Sequence, residues 1–323
     1  MIPIRDTTPS RNVPVINNVL IGINVVVFLV QMMMPEPLVE RFIFTYGLVP
    51  ARYTVDRLAE HFTFTQQIFS WLSFMFIHGG FLHILGNMWT LYIFGDNVED
   101  RLGPVRYLLF YLLCGLASGI SHFALNAGST LPTIGASGAI AGVMGAYFLL
   151  HPHSRILTLI PIIIFPLFVE IPAFFFLGLW LLLQFINATA TSGAAGGVAW
   201  WAHIGGFLFG MLFLKLFDAL PHAGVTARVR PLTTRKHSHR LQVARPDRSE
   251  QPSDVHATIA ISPYEALVGA RKLVTIPLGF QRRIYRVNVP PGMDHGKLLR
   301  LKGQGNVRAD GSRGDVLLKI VVQ

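Results

Sequence analysis

Thr133 to Gly145 reads TIGASGAIAGVMG, a serine set among glycine and alanine at the start of a long apolar run. Two readings are open. Small residues let helix backbones approach one another inside a bilayer. A serine hydroxyl held by a neighbouring base can also act as a nucleophile. Which applies to Ser137 depends on the rest of the chain.

The 323 residues are 52% hydrophobic and 14% charged, with a mean hydropathy of +0.49. That composition fits a membrane protein carrying a soluble appendage. Nine of the 27 Lys and Arg precede Asp218 and the other 18 follow it, so the net charge of +10 belongs mostly to the tail. Beside a membrane domain, a basic tail marks cytoplasmic placement and attraction to anionic lipid; no nucleic-acid partner is expected. Cys114 is the single cysteine, which excludes an intrachain disulfide and a thiolate metal cluster. No metal and no cofactor are implied. The N-terminal MIPIRDTTPSRNVPVINN is polar for too long to be a cleaved signal peptide, so the first apolar segment is expected to stay.

A helix needs about 20 apolar residues to cross the hydrocarbon core. Six segments approach that length, at 15–34, 80–95, 105–126, 134–150, 171–187 and 198–217. ILTLIPIIIFPLFVE, Ile156 to Glu170, is apolar but broken by Pro161 and Pro166. It is read as a loop against the membrane; counting it as a span gives seven. The loops GSTLP and TSGAAGG carry no basic residue, whereas Arg101, Arg106 and the tail do, which places both termini in the cytoplasm. The long loop after the first segment carries Arg41, Arg52 and Arg57 and would lie outside.

Residues 218–255 turn to Arg, His, Ser and Pro without apolar periodicity, as in a basic flexible linker whose His222, His237 and His239 are solvated. Beyond it, ATIAI, KLVTI, RIYRVNV, KLLRL and DVLLKIVV are short β-branched and apolar runs bounded by PPG, KGQG and DGSRG, the pattern of a small β domain. Ser262-Pro263-Tyr264-Glu265 supplies an N-cap, a first-turn Pro and a capping-box Glu for one short helix. The fold class expected is an all-α polytopic bundle of six transmembrane helices over 1–217, the linker, and a mainly-β domain over 256–323.

With both termini inside, the second, fourth and sixth segments begin at the outer surface. His83 and Asn87 in HILGN, Ser137 in GASG and His203 in AHIGG then lie within roughly 5 to 12 Å of the outer ends of their helices. His83 and Asn87 share a helix face. Polar side chains in a bilayer are costly unless they pair or line a cavity, and by default point to function. The chemistry they allow is acyl transfer: His203 takes the Ser137 proton, and the Ser137 N–H, His83 and Asn87 stabilise an oxyanion. No acidic third member stands in the spans, so the pair is a Ser-His dyad. Gly138 and Gly142, with Gly206 and Gly210, recur at i and i+4, and with Gly135 they are read as packing the fourth helix closely on the sixth.

On GASG, HILGN, AHIGGFLFG and FGDNVEDRLG, residues from about 15 to 217 resemble the rhomboid family of intramembrane serine proteases. The resemblance implies an endopeptidase that cleaves transmembrane segments of membrane-protein substrates in contact with lipid. It gives Ser137 the role of nucleophile, His203 that of base, and His83 and Asn87 places near the oxyanion. Two features depart from the family. Ala141 stands where some members carry an aromatic residue behind the imidazole, and IFSWLSFMF offers Trp71 without the Arg of the family's Trp-Arg pair. The site is expected to open to the outer face of the cell (inner) membrane. SPYEALVGARKLVTIP, VNVPPG, LLRLKGQG and GDVLLKI resemble one copy of the DnaJ C-terminal domain, which implies binding of extended or unfolded peptide at a sheet edge. The chain lacks HExxH for a metalloprotease and a pair of intramembrane Asp for an aspartyl protease, and no inverted repeat suggests a transporter. The alternative is a rhomboid-like protein that binds membrane clients without cutting them.

Overall fold

Helices occupy all six apolar segments. The computed structural model describes every residue except 9, 11, 163–164, 191–197, 222–232, 234–240, 245, 248–252, 279–280 and 308–310. The chain divides into two units, Met1–Thr233 and Thr234–Gln323. In the first, strand β1 (Ile2–Asp6) precedes helix α1 (Val15–Met32), and the long loop that follows folds into α2 (Glu36–Tyr46), α3 (Asp56–Ala59) and α4 (Phe64–Ser73). Then come α5 (Phe81–Leu102), α6 (Pro104–Leu125), α7 (Ser137–Leu150), strands β2 (Arg155–Ile162) and β3 (Phe165–Pro172), α8 (Ala173–Ala190) and α9 (Trp200–Ala219).

By length and composition, α1, α6, α8 and α9 can each cross a membrane, and α4 with α5 forms a fifth, bent pair at 76°. Helix α5 carries Asp96, Glu99, Asp100 and Arg101 in its last turns, which shortens its apolar part. Helix α7 has 14 residues because the chain before Ser137 is held non-helical, with Gly135 at φ +116°.

The acidic end of α5 anchors the N-terminus. Glu99 accepts the Ile16 and Asn17 N–H groups at 3.0 and 2.8 Å, satisfying donors of α1 that no side chain of its own N-cap, Pro14, can serve. Asn17 donates to the Leu91 carbonyl and accepts from Tyr107, tying α1 to α5 and α6.

The apolar run Ile156 to Glu170, expected as a loop, is instead an antiparallel hairpin, β2 with β3, which β1 extends in the order β1-β2-β3. Its Ile, Leu, Phe and Val favour strand. Pro161 and Pro166 stand opposite each other near the tip, where the missing N–H groups cost few ladder bonds.

Helices α7 and α9 approach backbone to backbone. A Cβ on Gly206 would lie 2.1 Å from the Gly138 carbonyl oxygen, one on Gly210 2.1 Å from that of Gly142, and one on Gly145 2.1 Å from that of Phe207. Gly138 and Gly142 also admit α6, since Cβ atoms there would meet Ser118 Oγ at 2.1 Å and Cys114 Sγ at 2.5 Å. Gly135, read as a helix-packing residue, lies outside the helix.

In the long loop, Arg52 is fully buried. It donates to the carbonyls of Phe44 and Thr45, with its guanidinium 3.6 Å from the Phe62 ring centroid. Tyr53 packs on Trp71 at 5.4 Å, so Arg52 and Tyr53 anchor the loop in which the sequence offers Trp71 alone.

The second unit contains β4 (Leu241–Val243), β5 (Pro246–Asp247), β6 (Val255–Ile261), α10 (Pro263–Val268), β7 (Ala270–Leu278), β8 (Gln281–Val289), β9 (Leu298–Leu301) and β10 (Val316–Val322). They form two sheets, ordered β5-β6-β10-β9 and β4-β7-β8. Alternate residues, Val255, Ala257, Ile259 and Ile261 with Val316, Leu318 and Ile320, fill its core, the period expected of half-buried strands. The Ser262–Glu265 capping box forms, and Glu265 also pairs with buried Lys272. Part of the stretch read as a flexible linker joins this unit, because β4 pairs with β7 and β5 with β6; runs of two or three residues are too short to show a period. His222, His237 and His239 lie outside the described residues.

Candidate active site

Ser137 is the first residue of α7, His203 lies in the first turn of α9, and His83 and Asn87 lie in the first two turns of α5. Three helix starts thus converge. Ser137 Oγ and His203 Nε2 are 2.8 Å apart, and His203 Nδ1 lies 2.8 Å from Gln184 Oε1 on α8. Gln184 Nε2 donates to the Trp180 carbonyl at 3.2 Å, so the amide turns its oxygen toward the imidazole. Nδ1 then carries the proton, and Nε2 is left as the acceptor for the Ser137 hydroxyl.

Two indoles flank the ring, Trp180 at 5.9 Å and 32° and Trp200 at 6.2 Å and 89°. Ala141 is fully buried, and a Cβ on Gly206 would stand 3.4 Å from its methyl. That position has no room for an aromatic side chain, and Trp180 and Trp200 provide the packing around the imidazole. Gln184, Trp180 and Trp200 belong to none of the motifs that point to the site in the sequence. The signal available was a lone amide in the apolar run FFFLGLWLLLQFI, where an unpaired polar group would be costly.

On the other side of Ser137, the backbone at Gly135 lies against α5. A Cβ there would stand 2.7 Å from His83 Nε2 and 3.6 Å from Asn87 Nδ2, so only glycine fits. The Gly79 N–H donates to His83 Nδ1 at 3.4 Å, which leaves Nε2 as the protonated nitrogen, facing this loop. Asn87 Nδ2 is a buried donor with no partner among the described residues, and such groups are rare without a purpose. Ser137, at N1 of its helix, adds a backbone N–H that has no intrahelical acceptor, at the positive end of the helix dipole. The arrangement offers a hydroxyl, an acceptor for its proton, and donors aimed beside it. Among the described residues no group of three or more His, Cys, Asp or Glu could hold a metal ion.

An apolar helical bundle with a serine–imidazole pair at its helix starts, followed by a mainly-β unit, defines a polytopic membrane protein with an appended domain. The family described as Rhomboid domain matches residues 65–218, and the DnaJ C terminal domain matches residues 255–323. Residues 65–218 are thus similar to the rhomboid family, and residues 255–323 of the same chain to the DnaJ C-terminal domain. Rhomboid protein 1, mitochondrial, of Saccharomyces cerevisiae is 28% identical over 203 residues, 60% of this chain and 51% of that protein. RHOMBOID-like protein 6, mitochondrial, of Arabidopsis thaliana is 31% identical over 156 residues, 47% of this chain and 45% of its own. Presenilin-associated rhomboid-like protein, mitochondrial, of Homo sapiens is 29% identical over 147 residues, 43% of this chain and 35% of its own. The chain spans about half the length of the curated relatives it matches, or less.

Proposed function

We propose that this chain is an intramembrane serine endopeptidase that cleaves transmembrane segments of membrane proteins. The observation that carries the reading is the 2.8 Å approach of Ser137 Oγ to His203 Nε2 at the starts of two closely packed apolar helices. Ser137 Oγ attacks the scissile carbonyl while its proton passes to His203 Nε2. The oxyanion is held by the Ser137 N–H, Asn87 Nδ2 and His83 Nε2. His203 then delivers the proton to the leaving amine, and water, deprotonated by the same imidazole, hydrolyses the acyl-enzyme.

All six apolar helices span the membrane in this reading, with both termini cytoplasmic and the site opening to the outer face of a cell (inner) membrane. The DnaJ C-terminal domain binds extended peptide at a sheet edge, on the cytoplasmic side.

Cleavage of a model transmembrane substrate in proteoliposomes tests the proposal. Ser137→Ala and His203→Ala should each abolish cleavage with insertion unchanged, and a fluorophosphonate should label the wild type and not Ser137→Ala. Full activity in either variant removes the dyad. A folded wild type that binds membrane proteins but neither cleaves nor labels would instead fit a client-binding protein.

A further inference from the structure

We infer that Gln184 is a positioning residue for His203, the third link of a hydrogen-bonded chain that runs from α8 through α9 to Ser137 on α7. The inference rests on the reading of Ser137 and His203 as the reacting pair. Gln184 is 6% exposed, and both ends of its amide are used, Nε2 by the Trp180 carbonyl at 3.2 Å and Oε1 by His203 Nδ1 at 2.8 Å. Reversing the amide would set an N–H₂ against an N–H and a carbonyl oxygen against a carbonyl oxygen, so the orientation is fixed by the network.

An imidazole serves as base here only as the tautomer with its proton on Nδ1 and its lone pair on Nε2 facing Ser137. Without an acceptor at Nδ1 the ring can exchange tautomers or rotate, and the competent fraction falls. A neutral amide does this without placing a carboxylate within an apolar bundle, where a buried charge would be costly. The ring of Trp180, on the same helix, lies 5.9 Å from the imidazole at 32°, so α8 supplies both the hydrogen bond and a packing surface for it.

The test uses the full-length protein in proteoliposomes, with steady-state cleavage of a transmembrane substrate measured across pH. Gln184→Met keeps length and shape but removes the acceptor; Gln184→Glu keeps the acceptor. Loss of one neutral hydrogen bond predicts that Gln184→Met lowers kcat about tenfold with KM little changed. Gln184→Glu should retain most of kcat at alkaline pH and move the acid limb of the profile upward, because a carboxylate stabilises the imidazolium. A packing role alone predicts the reverse order of activity, Met above Glu.

Wild-type kcat in Gln184→Met, or an acid limb unmoved in Gln184→Glu, overturns the inference. If Gln184→Met fails to insert, ¹⁵N shifts of His203 in the wild type decide: a protonated Nδ1 supports the inference and a protonated Nε2 overturns it. Ser137→Ala, run in parallel, separates the two claims. Cleavage by Ser137→Ala sinks the dyad itself, whereas an inactive Ser137→Ala beside a fully active Gln184→Met sinks only the role of Gln184.

Discussion

Gly206→Ala should drive α7 and α9 apart where they hold Ser137 and His203. The new Cβ would stand 2.1 Å from the Gly138 carbonyl oxygen and 3.0 Å from its carbon. A carbon–oxygen contact settles at about 3.3 Å, so the helices must separate locally by roughly 1 Å. Gly138 follows Ser137 directly, and Gly206 lies one turn from His203, so little chain is available to absorb the shift. The Ser137–His203 distance of 2.8 Å would lengthen to roughly 3.5–4 Å, outside hydrogen-bond range. A displacement of about 1 Å in a reacting pair can cost about 10²-fold in rate. Initial cleavage rates in proteoliposomes measure this, with Gly22→Ala on α1 as the control, since a Cβ there meets nothing within 4 Å. Thermal unfolding, recorded alongside, separates a displaced site from a collapsed bundle; overpacking of this kind costs about 1–3 kcal/mol. Wild-type kcat together with wild-type stability in Gly206→Ala would refute the account of how these helices assemble the site.

Three further outcomes are expected. Asn87→Ala should lower kcat by about 10²–10³-fold with KM nearly constant, and His83→Ala should act in the same direction, because donors to an oxyanion work in the transition state; a change in KM alone would remove that role. Asp6 docks β1 by accepting from Tyr147 and Asn97 at 2.7 and 2.9 Å, and burial outweighs these bonds to raise its carboxyl to about 6. A carboxyl raised on folding favours the folded form at low pH and loses that contribution as pH rises through the folded value. Amide exchange of residues 2–6, corrected for its intrinsic pH dependence, should therefore show firmer docking at pH 5 than at pH 7.5, and Asp6→Asn should flatten the difference. Deleting residues 234–323, the whole second unit, should leave turnover of a substrate without a cytoplasmic tail unchanged and alter cleavage of substrates with long tails. Comparative cleavage of the two substrate classes checks this, and loss of activity on the tail-less class with normal insertion would make the domain part of the catalytic fold.

The sequence alone was enough to locate the six apolar helices, though not α2, α3 and α4 in the long loop, because apolar length is a local property and each apolar segment is bounded by its own polar, Pro or Gly residues. It also placed Ser137, His203, His83 and Asn87 near the starts of their segments, and it marked the β unit by short β-branched and apolar runs bounded by PPG, KGQG and DGSRG. Tertiary structure decided what those groups meet. Ser137 and His203 are 66 residues apart in the chain, and Gln184 and His203 are 19 apart. No periodicity encodes such pairs, because they depend on how each helix is rotated about its axis and how closely its neighbour approaches. The same holds for Gly135, whose spacing suggested helix packing but whose positive φ and contact with His83 serve the loop before Ser137. It holds for Arg52, charged and in a loop, yet buried on carbonyls that only the folded loop brings to it. It holds too for the β2–β3 hairpin, whose two prolines argued against strand until their pairing near the tip made them harmless. A segment's composition sets its environment one residue at a time, whereas the chemistry of this site arises from crossings between helices, which are fixed by packing small residues against carbonyls on another part of the chain.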